Sequence, residues 1–253
     1  MASPGALEGV DVVVLCGGRG TRLGALTTSI PKPLLPVRGR PFLLHHLLAL
    51  QQEGCSRFVL AAQYLADQFR DFARQHAGLL PDVTVIEEPE PLGTGGALRY
   101  AVPHVRSRTF AVLNGDSWVL QPLAPVLRDH ARTHALLSMV VVRADHVAGG
   151  ARAKGVVVTG TDDVITGFST PRAAEEGWVN AGCYVLNKEL VLGWPSERYD
   201  LEREFMTLVP AGRGVAFRSE GSLLDIGTPD CYARAGTMLA SPSAEALHVG
   251  VNA

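Results

Sequence analysis

The feature that most limits how this chain folds is a repeated alternation of short apolar runs with stretches of helical periodicity. Residues 10–15, 57–62, 83–87, 110–114 and 137–143 have strand length and strand composition. Between them, 41–53, 64–77, 94–102 and 122–133 read as helices, with Pro41 suited to a first turn and Gly54 to a C-terminal stop. Strands that alternate with helices predict βαβ units and a mostly parallel sheet. After residue 143 the texture changes to short β-rich pieces at 155–159, 164–168 and 179–186. A helix at 201–209, a strand at 215–217 and a helix at 229–239 follow. The chain therefore reads as one α/β domain over 1–253, with a first half at about 9–120 and a second at about 121–240. Residues 1–8 and 241–253 read as weakly anchored tails.

Composition sets the outer limits. Nearly half of the 253 residues are apolar, enough for a sizeable core, and a net charge of -2 argues against a broad nucleic-acid surface. Cys16, Cys55, Cys183 and Cys231 form no C-x-x-C pair, so neither a zinc site nor a disulfide framework is expected, and a reducing cytoplasm is. No signal peptide and no membrane span is expected, because the apolar runs are far too short. Only Lys32, Lys154 and Lys188 are lysines, which makes each worth attention.

The first strand runs directly into Leu15-Cys16-Gly17-Gly18-Arg19-Gly20-Thr21-Arg22. Glycines there let backbone N–H groups close around an anion, and Arg22 offers a planar fork for phosphate oxygens. A Gly-Gly-x-Gly run alone is also what a structural turn uses. Ten residues on, Lys32 stands between Pro31 and Pro33, which fix the backbone on both sides of it. Leu23 occupies the place of the third Rossmann glycine, and no Walker A sequence occurs.

GGRGTRL followed by PKPLLPV resembles the sugar-phosphate nucleotidyltransferases, over about residues 10–238. The resemblance implies a Rossmann-like, mostly parallel (mixed) central sheet flanked by helices, the GT-A-like fold. It also implies an NTP and a sugar 1-phosphate as substrates, the nucleotide half lying at about 9–120 and the acceptor half at about 121–240, with Mg²⁺ as cofactor. Among family branches, the form EEPEPLGTGGAL looks like the guanylyltransferases of heptose 1-phosphate, with those of mannose 1-phosphate next. Thymidylyl, cytidylyl or adenylyl transfer to a related sugar stays open, as does a non-catalytic relative that binds NDP-sugar. An assembly of identical chains is also left open.

Residue by residue, the resemblance gives Arg22 and Lys32 catalytic roles, and Asp116 and Asp225 the metal. Both aspartates follow apolar runs, where ligand sites collect in open α/β sheets, although each also suits a turn or cap. Leu15, Cys16, Gly17, Gly18, Gly20, Thr21, Glu88, Leu92, Gly93, Thr94, Asn114 and Gly115 are expected around the nucleotide, with Thr94 also suited to cap a helix. Asn180 and Gly182 match the family's Asn-x-Gly element for acceptor hydroxyls, and Glu202 lies in a segment resembling its Ser-Leu-Glu. Asn180-Ala181-Gly182 equally suits a strand bulge, and Glu202 a solvated first turn.

The chain departs from the family where a Glu-Lys pair is replaced by Ser169-Thr170, and where Lys154-Gly155 replaces Tyr-Gly. Lys154 and Gly155 are therefore expected at the sugar phosphate, with Arg172 a second candidate cation. His45-His46 reads as packing and surface, the His130/His134 pair lacks further metal ligands, and the three tryptophans suit packing.

Overall fold

The computed structural model describes residues 5–80, 82–147, 156–169 and 177–240. The first half contains β1 (Asp11–Leu15), β2 (Pro36–Val37), β3 (Arg40–Pro41), α1 (Phe42–Gln52), β4 (Arg57–Ala62), α2 (Ala66–Gln75), β5 (Asp82–Glu87), α3 (Gly93–Ala101) and β6 (Thr109–Asn114). The second contains β7 (Ser117–Val119), α4 (Ala124–Arg132), β8 (Leu137–Arg143), β9 (Val156–Thr159), β10 (Ile165–Ser169) and β11 (Trp178–Asn187). It ends with α5 (Lys188–Leu192), α6 (Leu201–Leu208), β12 (Gly214–Ser219), β13 (Leu223–Asp225) and α7 (Pro229–Met238).

Nine of the thirteen described strands form one mixed sheet, and β2–β3 and β7–β13 form two separate pairs. β5, β4, β1 and β6 lie side by side and parallel, in that order. β11 then runs antiparallel to β6, and β8 continues the sheet beyond it, with β12 parallel to β8. The β9–β10 hairpin joins at the N-terminal end of β11 through Val156 and Val179. The order of the parallel strands reverses between β1 and β6, so a crevice opens above their C-terminal ends.

Helices cover both faces, which is why β1 is apolar at successive positions rather than at alternate ones. Val12 and Val14 pack in one core with Leu47 of α1 and Phe69 of α2. Val13 packs in the other with Leu98 of α3 and Phe205 of α6. At the N-terminal strand ends Arg57 ties three segments together. Its guanidinium meets Asp11 at 3.0 Å and Asp82 at 3.2 Å, while Asp11 also accepts the N–H groups of Arg106 and Ser107. The buried carboxylate of Glu53 caps α4 from outside its own helix, accepting the N–H groups of Leu123 at 2.9 Å and Ala124 at 3.0 Å.

Several elements differ from the expectations. β7 and β13 pair with each other although each is only three residues long. Short 3-10 segments follow the glycine loop at Thr21–Thr27 and Lys32–Leu34. Thr94 does not cap α3: Leu92 holds that position, and the Thr94 hydroxyl accepts the N–H of Leu201 at 2.9 Å. His45 and His46 are both buried; His45 meets the Val37 carbonyl and His46 stacks on Trp118. His130 is committed to Ser138 and Asn187, and no cluster of metal-ligating side chains is found among the described residues. No helix among them is long and apolar enough to cross a membrane.

Candidate functional site

A cleft of about 310 Å³ opens above the C-terminal ends of β1 and β6. Leu15, Cys16, Gly17, Gly18 and Lys32 line one side, and Asn114 and Asp116 the floor. Glu88, Leu92, Gly93 and Thr94 close the other side. Gly115 sits in the turn beneath, its N–H donated to the Leu15 carbonyl at 3.0 Å. The glycine loop and the strand end carrying Asp116 are thus fastened together at the switch point.

Gly20 adopts φ +65 as the loop turns into the first 3-10 segment. A Cβ there would stand 3.1 Å from Thr27 Cγ2 and 3.3 Å from Lys32 Cβ, so the lysine stem runs tightly past the loop. Its buried ammonium ends on the Asp116 carboxylate, which also accepts the Ser117 hydroxyl at 3.0 Å. From the other side of the loop, Arg19 lies over the Tyr64 ring at 5.8 Å, and Tyr64 donates to the Thr28 carbonyl at 2.8 Å.

Asp225 is brought next to the Asp116 backbone by tertiary pairing. Ser117 stands opposite Asp225 in the β7–β13 ladder, and Ile226 N–H donates to the Asp116 carbonyl at 3.0 Å. Arg22 is exposed at the rim with Thr21. A Cβ on Gly227 would fall 2.7 Å from Asp225 Oδ1 and 3.0 Å from Arg22 Nη2, so guanidinium and carboxylate flank the same backbone.

Glu88 is the strongly perturbed acid in the cleft. Burial raises its carboxyl to about 7, against the opposing pull of the Leu92 N–H, which it accepts at 3.3 Å. Its second oxygen has no partner among the described residues and lies 2.8 Å from where a Gly17 Cβ would be. Burial, with Asp116 and Glu88 nearby, holds the Cys16 thiol well above its ordinary range, so it stays neutral.

The second glycine-rich segment is shaped by the chain packed on it. Gly93 has φ +73, and a Cβ there would stand 2.4 Å from the Tyr199 carbonyl; at Gly95 it would meet the Tyr199 ring at 2.1 Å. Gly95 N–H donates to that carbonyl at 3.0 Å, and Tyr199 N–H to the Leu92 carbonyl at 3.0 Å. The side chains these glycines exclude would meet residues 197–200. This clamp brings Arg198 and Asp200 to the cleft wall, two residues that sequence reasoning missed. Lys32, Lys154 and Lys188 stand out in the sequence by their rarity, while Arg198 is one arginine among many.

Asn180, Gly182 and Glu202 form a second tier behind the cleft. Asn180 is buried; its amide donates to the Tyr184 hydroxyl at 2.6 Å and to Glu202, and its oxygen accepts Gly182 N–H at 2.9 Å. β11 is bulged here, and a Cβ on Gly182 (φ +70) would lie 2.5 Å from Asn114 Nδ2. Glu202 therefore reaches inward to Asn180 although it sits on an exposed first turn. Lys154, Gly155, Thr170 and Arg172 lie outside the described residues.

A glycine loop that follows the first parallel strand into a cleft at the switch point of a Rossmann-like sheet is the arrangement of nucleotide-binding α/β proteins. Residues 11–241 match the family model described as nucleotidyl transferase, and the chain belongs to that family. It is 33% identical over 234 residues to mannose-1-phosphate guanylyltransferase of Mycobacterium tuberculosis, covering 90% of this chain and 64% of that protein. To D-glycero-alpha-D-manno-heptose 1-phosphate guanylyltransferase of Aneurinibacillus thermoaerophilus it is 27% identical over 89% of this chain and 96% of that one. The crystal structure of HddC from Yersinia pseudotuberculosis complexed with GMP-PN superposes with a TM-score of 0.79 at 28% identity, over 91% and 99% of the two chains.

Proposed function

We propose that this protein transfers GMP from GTP to a manno-configured sugar 1-phosphate, mannose or heptose, releasing pyrophosphate. The observation that carries the reading is one cleft lined by the glycine loop, Lys32 and Asp116, with Asp225 brought beside Ser117 by the β7–β13 ladder. A phosphate oxygen of the acceptor attacks the α-phosphorus in line, a new P–O–P bridge forms, and the α–β bridge breaks with its electrons on pyrophosphate. No covalent enzyme intermediate is required, so the chain works by positioning and electrostatics.

Backbone N–H groups of Gly17 and Gly18 and the cations of Arg22 and Lys32 hold the triphosphate. Glu88 supports guanine as the base, because guanine presents two adjacent donors, N1–H and the N2 amino group, to a carboxylate. Arg198 supplies a cation at the cleft wall for the acceptor phosphate, where the Ser169-Thr170 substitution removes the family's lysine. It carries no ion pair among the described residues. Asn180 and Glu202 then order the wall against which the sugar rests.

Asp116 and Asp225 suit Mg²⁺: two hard oxygen donors joined through the β7–β13 ladder fit a cation that keeps several waters and takes the rest of its shell from phosphates. When bound, Mg²⁺ offsets the charge that develops on the phosphates. The free, buried cysteines fit a reducing cytoplasm.

The test is a matrix of NTPs against mannose, glucose and heptose 1-phosphates, scored by pyrophosphate release. GTP with a manno-configured acceptor should give the highest rate. GTP binding without pyrophosphate from any pair would make the chain a binder of nucleotide sugars instead of an enzyme.

A further inference from the structure

We infer that Lys32 is a stand-in for the metal ion: its ammonium neutralises Asp116 until nucleotide arrives, so the chain takes up divalent metal weakly alone and well only together with the triphosphate. The inference rests on the reading of Asp116 and Asp225 as the metal-binding pair.

Three observations support it. The Lys32 ammonium is seated on Asp116, one of the two carboxylates that would hold the metal. Pro31 and Pro33 fix the lysine backbone, and the stem runs close along Gly20, from which a Cβ would stand 3.3 Å from Lys32 Cβ and 3.5 Å from its Cε. Lys32 thus shares the cleft with Gly17 and Gly18 of the glycine loop, where the phosphates would bind. A buried ammonium needs a counter-charge at all times, and in this structure Asp116 provides it. Phosphate oxygens offer it a replacement. Once the ammonium has moved onto them, Asp116 is released to a cation. Divalent metal approaching the nucleotide-free site meets a cation already in place, and like charges at such range repel strongly where water is scarce. Each ligand then favours the other to the same degree, as linkage requires.

The experiment measures Mn²⁺ binding by the loss of the free-ion electron paramagnetic resonance signal, without sugar phosphate so that no turnover occurs. Wild type, Lys32→Met and Lys32→Gln are compared with and without GTP, each against a protein-free blank at the same GTP concentration because GTP alone also binds Mn²⁺, and each is first checked for folding by its near-ultraviolet circular dichroism. Methionine keeps the stem and removes the charge; glutamine keeps a donor for Asp116. Without GTP, both variants should bind Mn²⁺ at least tenfold more tightly than wild type, and Asp116→Asn should abolish that gain. With GTP the difference should shrink, because the wild-type ammonium has left Asp116. Equal affinity of wild type and folded variants without GTP would overturn the inference while leaving the metal pair intact. If Asp116→Asn and Asp225→Asn bind Mn²⁺ as wild type does in the presence of GTP, the metal reading itself is wrong.

Discussion

If Glu88 reads guanine, GTP affinity must rise with pH across neutrality, and the structure sets the size of the effect. The carboxyl titrates at about 7 because burial penalises its charge. Only the ionised form accepts from both N1–H and the N2 amino group. At one pH unit below the pKa about a tenth of the molecules are ionised, so GTP binding at pH 6 should be about tenfold weaker than its high-pH limit. At pH 8 the loss should nearly vanish. The sign follows from the protonated form being the one that must give up a proton before it binds.

Glu88→Gln removes the charge and turns one acceptor into a donor that opposes the N2 amino group. Hydrogen bonds to a charged group contribute about 1.5–3 kcal/mol, which corresponds to roughly a ten- to hundredfold loss of affinity at pH 8. Isothermal titration with GTP and ITP at several pH values measures both effects. Wild type should prefer GTP over ITP, which lacks the N2 amino group, and the variant should not. The γ-phosphate also titrates near neutrality, so the difference between wild type and Glu88→Gln carries the result. If the two proteins show the same pH slope, Glu88 does not read the base.

Three further outcomes are expected. Arg198→Ala should raise the KM for sugar phosphate about tenfold, the scale of one charged hydrogen bond, and leave that for GTP nearly unchanged; equal increases would place Arg198 on the nucleotide. Gly95→Ala drives a methyl group into the Tyr199 ring and should cost about 1–3 kcal/mol in a urea melt, while raising both KM values, because both walls of the cleft move. An unchanged melt would mean that residues 197–201 separate from α3 with little cost. Asp11→Ala leaves Arg57 and two backbone N–H groups short of their acceptor and should destabilise by about 3–5 kcal/mol, with no effect on either KM at temperatures where the variant is folded. Stability within about 0.5 kcal/mol of wild type would remove the staple from the account of the fold.

Much of this was legible in the chain because local pattern carries it. Residues 57–62 and 137–143 are strands at the bounds their composition suggests, and the glycine loop follows its strand as expected. The β7–β13 pair was not legible: three residues give no period, and what makes them strands is a partner far away in sequence. The same holds for Gly93 and Gly95. Their sequence shows that side chains are excluded, but only the fold shows that Tyr199 excludes them. Asn180 matched a motif, and the structure adds that its amide is already committed to Tyr184 and Glu202.

The β7–β13 ladder also has a consequence in time. During synthesis the parallel strands β5, β4, β1 and β6 can assemble as soon as residue 114 has emerged, and the glycine loop takes shape with them. Asp116 then waits, with Lys32 beside it, while more than a hundred further residues are translated. Only when residues 223–225 leave the ribosome can the second carboxylate dock. If the glycine loop holds the triphosphate and the two aspartates the metal, as proposed, a nascent or prematurely ended chain would have the loop with half of its carboxylate pair, and so could hold nucleotide before it could spend it.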